Sequence, residues 1–162
     1  MRKWDAAAGS SLFMALAPGT VAGLIPWWLT HWEAGGWWPP LRALGLIPLI
    51  GGAAVLVHAF ARFVTEGLGT PAPVAPTQNL VVGGLYRYVR NPMYVAVVAA
   101  IVGQGLLLAR PVLLAYALVA GLVMGGFARW YEEPTLSRTF GETYDRYRES
   151  VPGWVPRLRP YE

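Results

Sequence analysis

Cysteine is absent from the 162 residues, so disulfides, thiolate zinc sites and a cysteine nucleophile on this chain are excluded. Histidine is nearly absent: His31 and His58 are the only two, far apart in sequence, and no metal site is expected. Charge is scarce as well, at 14% of residues, against 55% hydrophobic residues, an apolar share high for a soluble globule of this length. The solvent this implies is a bilayer. The excess of 13 Lys and Arg over 9 Asp and Glu gives +4, yet the basic residues lie between apolar runs instead of forming a solvated basic domain, so no nucleic acid partner is expected.

Four segments approach or exceed the roughly 20 apolar residues needed to cross a membrane: Ala6–Trp32, Ala43–Ala61, Asn91–Ala109 and Pro111–Ala128. The first is too long for a signal-peptide core and lacks a convincing cleavage site, so it reads as a retained anchor, kinked at Pro18 and Pro26 as the second is at Pro48. Gly67–Gln78, with Pro71, Pro73 and Pro76, reads as an extended loop. Arg110-Pro111 leaves almost no connection between the last two segments, which must form a tight antiparallel hairpin. Gly103, Gly105, Gly121, Gly125 and Gly126 are expected to bring its helices close together.

Arg2, Lys3, Arg62, Arg87, Arg90, Arg129, Arg138, Arg146, Arg148, Arg157 and Arg159 fall on one side of the bilayer by this scheme, and only Arg42 and Arg110 on the other. Cytoplasmic segments carry the Lys and Arg excess, which predicts that both termini and the Arg62–Arg90 linker are cytoplasmic. Trp27, Trp28, Trp32, Trp37 and Trp38 then gather at the outer interface as an aromatic belt. The expected fold is an all-α polytopic helix bundle of about four spans with a C-terminal interfacial helix. It forms one domain over 1–162: spans one and two (1–64), a cytoplasmic linker (65–90), the hairpin (91–131) and a cytoplasmic helix and tail (132–162).

At the cytoplasmic rim, Asn91 is a favoured N-cap and Pro92 a favoured first helical residue, so the third span starts there with its positive dipole end able to hold an anion beside Arg87 and Arg90. The fourth span closes on Glu132 and Glu133, two carboxylates at a helix C-terminus that oppose the dipole and repel each other. Adjacent helical residues diverge by about 100°, so one Glu can face the bundle and a ligand's hydroxyl or amino groups while the other meets water or an arginine. Structural pairing of either with Arg87, Arg90 or Arg129 stays open. Downstream, Leu136, Phe140, Tyr144, Tyr147 and Val151 recur at helical spacing and predict an amphipathic interfacial helix that could cover the hairpin's mouth, ended by Pro152 and Pro156.

In order and spacing, Gly84-Leu85-Tyr86, Asn91-Pro92-Met93-Tyr94, Glu132-Glu133, Leu136, Phe140-Gly141, Tyr144, Tyr147 and Val151-Pro152 resemble the isoprenylcysteine carboxyl methyltransferase and phospholipid methyltransferase superfamily of integral membrane methyltransferases. The resemblance covers roughly Gly83 to Arg157. It implies S-adenosylmethionine as donor and a lipophilic acceptor arriving from the bilayer, in the plasma or inner membrane of a prokaryote. Carried over by position, it implies a cofactor pocket of Tyr86, Arg90, Asn91, Pro92, Tyr94, Glu132, Glu133, Tyr144 and Tyr147, with Glu132, Glu133 and Arg90 as catalytic residues. Carboxyl methyltransferases usually carry His-Pro where this chain has Asn91-Pro92, which looks more like the phospholipid enzymes. Methyl transfer from a sulfonium rests on proximity and orientation and needs no nucleophilic side chain, in keeping with a structural His31 at the outer interface and with His58, near the cytoplasmic end of span two, read first as a satisfied polar residue and otherwise as one that touches the pocket. A nicotinamide-dependent sterol or isoprenoid reductase and a non-enzymatic membrane scaffold are the alternative readings.

Overall fold

The computed structural model describes residues 3–67 and 78–162, and among these the chain is helical with no strand. The expected loop therefore lies, over 68–77, outside the described residues. The elements are α1 (Lys3–Gly19), α2 (Ile25–Thr30), α3 (Pro39–Ala43), α4 (Leu46–Arg62), α5 (Pro92–Leu107), α6 (Pro111–Phe127), α7 (Glu133–Phe140) and α8 (Glu142–Ser150). Among the described residues three runs are long and apolar enough to cross a membrane: Ser11–Thr30, Pro39–Glu66 and Pro111–Phe140. The third expected span is shorter than the sequence suggested. α5 has 16 residues, about 24 Å against a hydrocarbon core of about 30 Å. It stops at Leu107 because Ala109 turns to φ 54° and the Arg110 N–H bonds back to the Gly105 carbonyl.

Between the two prolines of the first run the backbone widens into a π turn, Thr20–Leu24. Pro26 has no N–H to return to this turn, and neighbouring helices supply the missing donors: Gln104 Nε2 bonds the Ala22 carbonyl at 2.6 Å and Tyr116 Oη the Val21 carbonyl at 2.7 Å. Two polar side chains in otherwise apolar helices are thus explained by a proline elsewhere. Gln104→Leu is expected to cost about 1 kcal/mol, within the range for interhelical hydrogen bonds in membranes. Unfolding in mixed micelles measures it.

Small residues bring α4 and α5 together. A methyl group on Gly45 would sit 2.5 Å from the Gly103 carbonyl, one on Gly103 2.6 Å from that of Gly45, and one on Gly52 2.6 Å from that of Ala96. Gly103 therefore packs on the α4 side, not within the α5–α6 hairpin as the sequence suggested, whereas Gly105 does face α6, where a methyl group would lie 2.8 Å from Leu114 Cδ2. The α5–α6 core is built instead from Val97, Ile101, Leu113, Ala117 and Ala120.

The last long run does not stop at Ala128. It passes through a π turn, Ala128–Glu132, directly into α7. The wider turn accommodates Pro134, which cannot donate an N–H. Glu133 therefore lies inside a helical run that continues from Pro111 to Phe140, not at the helix C-terminus expected from the sequence, so no terminal dipole opposes its charge. The predicted amphipathic helix is two helices, because Gly141 breaks it at φ 54°, ψ −134°. Its stripe nevertheless forms one cluster: Tyr144, Tyr147 and Val151 pack with Leu136, Phe140, Leu80, Val82 and Tyr161. These side chains meet protein.

Candidate functional site

The tail after α8 turns back along the segment leading into α5. Arg90 N–H donates to the Pro152 carbonyl at 2.9 Å, Asn91 N–H to that of Gly153 at 3.2 Å, Arg157 N–H to that of Tyr88 at 2.9 Å and Tyr161 N–H to that of Arg87 at 2.9 Å. Asn91 occupies the N-cap position, but its side chain makes no cap bond and donates to the Gly153 carbonyl at 3.1 Å. The N–H groups of Arg90 and Asn91, immediately before α5, are thus taken by the tail. Pro92 is fully buried.

The two glutamates diverge. Glu133 Oε1 accepts from Arg90 Nη1 at 2.8 Å, while its Oε2 accepts from Arg129 Nη1 at 3.0 Å and lies 3.5 Å from Arg148 Nε. Arg90 also donates to the Val151 carbonyl at 2.8 Å and reaches Tyr144 Oη at 3.4 Å. With side chains only 12% and 14% exposed, Glu133 and Arg90 form a buried ion pair joining the start of α5, the start of α7 and the end of α8. Of the three arginines named as possible partners in the sequence, Arg90 and Arg129 pair with Glu133, whereas Arg87 donates Nε to the Tyr161 carbonyl.

Glu132 points the other way. Its Oε1 accepts from Tyr94 Oη at 2.7 Å, one turn into α5. Trp154 of the tail lies on the Tyr94 ring, centroids 6.3 Å apart and planes 19° from parallel, and a methyl group on Gly125 would meet its Cζ2 at 3.8 Å. A carboxylate has about four acceptor positions, so the Tyr94 bond leaves most of the capacity of Glu132 for hydroxyl or amino donors.

The three other tyrosines expected in a pocket are packing residues. Tyr86 is 6% exposed among Ala59, Val81, Phe63 and Met93, and its carbonyl receives the Tyr147 hydroxyl at 2.7 Å. Burial pushes the phenols of Tyr86 and Tyr147 well above their ordinary range, and that of Tyr144 upward against the opposing pull of Arg90. They remain neutral hydroxyls that can donate.

A second polar stripe braces the turn before Tyr86. Glu66 accepts from Arg62 Nη1 at 2.6 Å and from the Gly83 N–H at 2.9 Å. Gly84, at φ 58°, packs so closely that a methyl group there would lie 2.5 Å from His58 Nε2 and 2.7 Å from Arg62 Nε. His58 Nε2 is buried with no hydrogen-bond partner among the described residues, so it is not the satisfied polar residue the sequence suggested. Glu66 and Trp154 were not singled out in the sequence. Arg62, Glu66 and His58 recur every four residues, a signal that could have found the brace, whereas Trp154 in a proline-flanked tail carries no periodicity.

The site is therefore three connected parts: the buried Arg90–Glu133 pair, the Tyr94–Glu132–Trp154 rim, and the packed tyrosines beneath them. A family model described as phospholipid methyltransferase matches residues 41–143, which spans α4 to α7, ends at the start of α8 and includes every rim residue except Trp154. No curated protein matches the chain. With three long apolar helices and a family match over well more than half its length, this integral membrane chain belongs to the phospholipid methyltransferase family.

Proposed function

We propose that the chain transfers a methyl group from S-adenosylmethionine to a lipophilic acceptor at the cytoplasmic membrane face. The observation that carries this is the Tyr94–Glu132 pair: a half-buried carboxylate oriented by one phenol, with open acceptor positions, at the rim of an apolar bundle. These residues fit the donor. Glu132 suits its hydroxyl and amino hydrogens, and the faces of Tyr94 and Trp154 suit a sulfonium by cation–π attraction. The bound donor supplies an electrophilic methyl group on positively charged sulfur.

The chain's own part is to bind, orient and exclude water. Glu132 and Tyr94 hold the ligand, and Glu132 is placed to take the proton of an amine acceptor, which must be neutral to react. Arg90 and Glu133, already satisfied by each other, fix the frame with Asn91 and Pro92, while Tyr86, Tyr144 and Tyr147 form its packed base. The acceptor class is a phospholipid amine, an isoprenoid or a prenyl carboxylate. The order of the spans in the sequence, which sets eleven arginine and lysine positions on the side of the rim against Arg42 and Arg110 on the other, supports a cytoplasmic rim.

Titrating the purified chain with S-adenosylmethionine and with reduced nicotinamide dinucleotide tests the reading. Saturable binding of the first alone is expected, and binding of the second alone overturns it in favour of a reductase. Incubating membranes with methyl-labelled donor then asks whether label partitions into lipid, prenylated peptide or a small molecule.

A further inference from the structure

A groove runs down the membrane face of the hairpin, lined by Val98, Val102, Leu114, Ala117, Gly121 and Leu122, with a volume of about 360 Å³. Its lining residues are all apolar, and it is an open groove along the helices, not an enclosed cavity. Gly121 differs from the glycines at the α4–α5 contact. Gly45, Gly52 and Gly103 are in close backbone contact with a neighbouring helix, whereas a methyl group on Gly121 would meet only Val98 Cγ2, at an ordinary 3.6 Å. Helix packing within the chain therefore does not use Gly121, and its missing side chain is what leaves the groove open.

The groove leads to the rim. Tyr94 lies one turn before Val98 on α5, and Gly125 one turn after Gly121 on α6. Trp154 spans that next turn, stacked on Tyr94 and set against Gly125. From Leu114 to Gly125 the track is about 16 Å long, at 1.5 Å per helical residue. One end is open hydrocarbon, and the other is the Tyr94–Glu132 pair behind an indole.

We propose that this groove seats one hydrocarbon chain of the acceptor lipid and that Trp154 is the threshold its reactive head passes to reach Glu132. The inference rests on the proposed methyl-transfer function and adds the acceptor's route and the residue that guards it. Trp154 lies outside the matched segment 41–143. An acyl or isoprenoid chain is the occupant because the lining offers no polar partner and the groove opens along a membrane-length helix.

The test uses the full chain in phosphatidylcholine vesicles doped with phosphatidylethanolamine carrying a diazirine on one acyl chain. After irradiation, adducts are mapped by peptide mass spectrometry. Val98, Val102 and Leu118 at the groove are expected to exceed Ile47, Ile50 and Val123, exposed apolar residues outside it, by about fivefold, as for a held ligand against passing lipid. Gly121→Leu, which fills the groove, should lower groove adducts by about the same factor with donor binding retained. Leu118→Trp, at the exposed lip, does the same should Gly121→Leu fail to fold. Trp154→Ala should extend adducts to Tyr94. Equal labelling of groove and control positions, indifference to Gly121→Leu, or chain-to-chain adducts marking a second copy in the groove would each overturn the proposal. Donor titration of the unaltered chain is read separately, so failure of the methyltransferase reading is distinguishable from failure of the groove.

Discussion

Glu132→Gln is expected to weaken S-adenosylmethionine binding about 10- to 100-fold, the loss that follows when two hydrogen bonds to a charged group, each worth about 1.5–3 kcal/mol, become neutral ones worth about 1 kcal/mol. Shape is conserved, and the Tyr94 hydroxyl can donate to the amide oxygen as it does to Oε1. Unfolding in mixed micelles should therefore barely move. Tyr94→Phe is the companion: Glu132 keeps its charge but loses its one oriented donor, so binding should fall by less, about threefold to tenfold. Calorimetric titration in nanodiscs measures both. Wild-type affinity in Glu132→Gln would make the pair a structural contact and remove the main support for the proposed function.

The fold was legible where a single physical rule operates. Long apolar runs must become helices in a bilayer, and Arg110-Pro111 permits only a hairpin, so helix placement follows from the sequence to within a few residues. What was not legible depends on partners distant in sequence. The π turn at Thr20–Leu24 is tolerated because Gln104 and Tyr116 reach two of its carbonyls, and neither residue signals that role locally. Likewise, nothing in Gly103 says whether it will face α4 or α6; only the packed bundle decides.

The site shows the same division. The motif residues do assemble at one end of the bundle, and the divergence of adjacent helical positions correctly separates Glu132 from Glu133. Residue type alone could not assign their surroundings. Tyr86, Tyr144 and Tyr147 look like pocket residues in sequence but are packed, and Asn91 looks like a cap but ties down the tail. The tail is the element the sequence least reveals, because an extended segment has no hydrophobic period. Its order comes from backbone bonds to 87–91 and from Trp154 on Tyr94.

Glu133→Gln is expected to produce the opposite pattern from Glu132→Gln, with stability lost and ligand binding kept. The Arg90–Glu133 pair is mostly buried, so neutralising the carboxylate leaves a guanidinium uncompensated at the junction of three helices. Breaking a buried pair in this way costs about 3–5 kcal/mol. The lower end applies, because Arg90 retains its bonds to the Val151 carbonyl and to Tyr144. Arg129 and Arg148 are 62% and 39% exposed, so their loss adds little. Arg90→Lys should be nearly as damaging, since an ammonium cannot serve the Val151 carbonyl and Glu133 with one planar fork. Unfolding of each variant in mixed micelles gives the stability change, and donor titration corrected for the folded fraction should stay within about threefold of wild type. Loss of donor affinity in folded Glu133→Gln would place the second glutamate in direct contact with the ligand, with Arg90 holding it there.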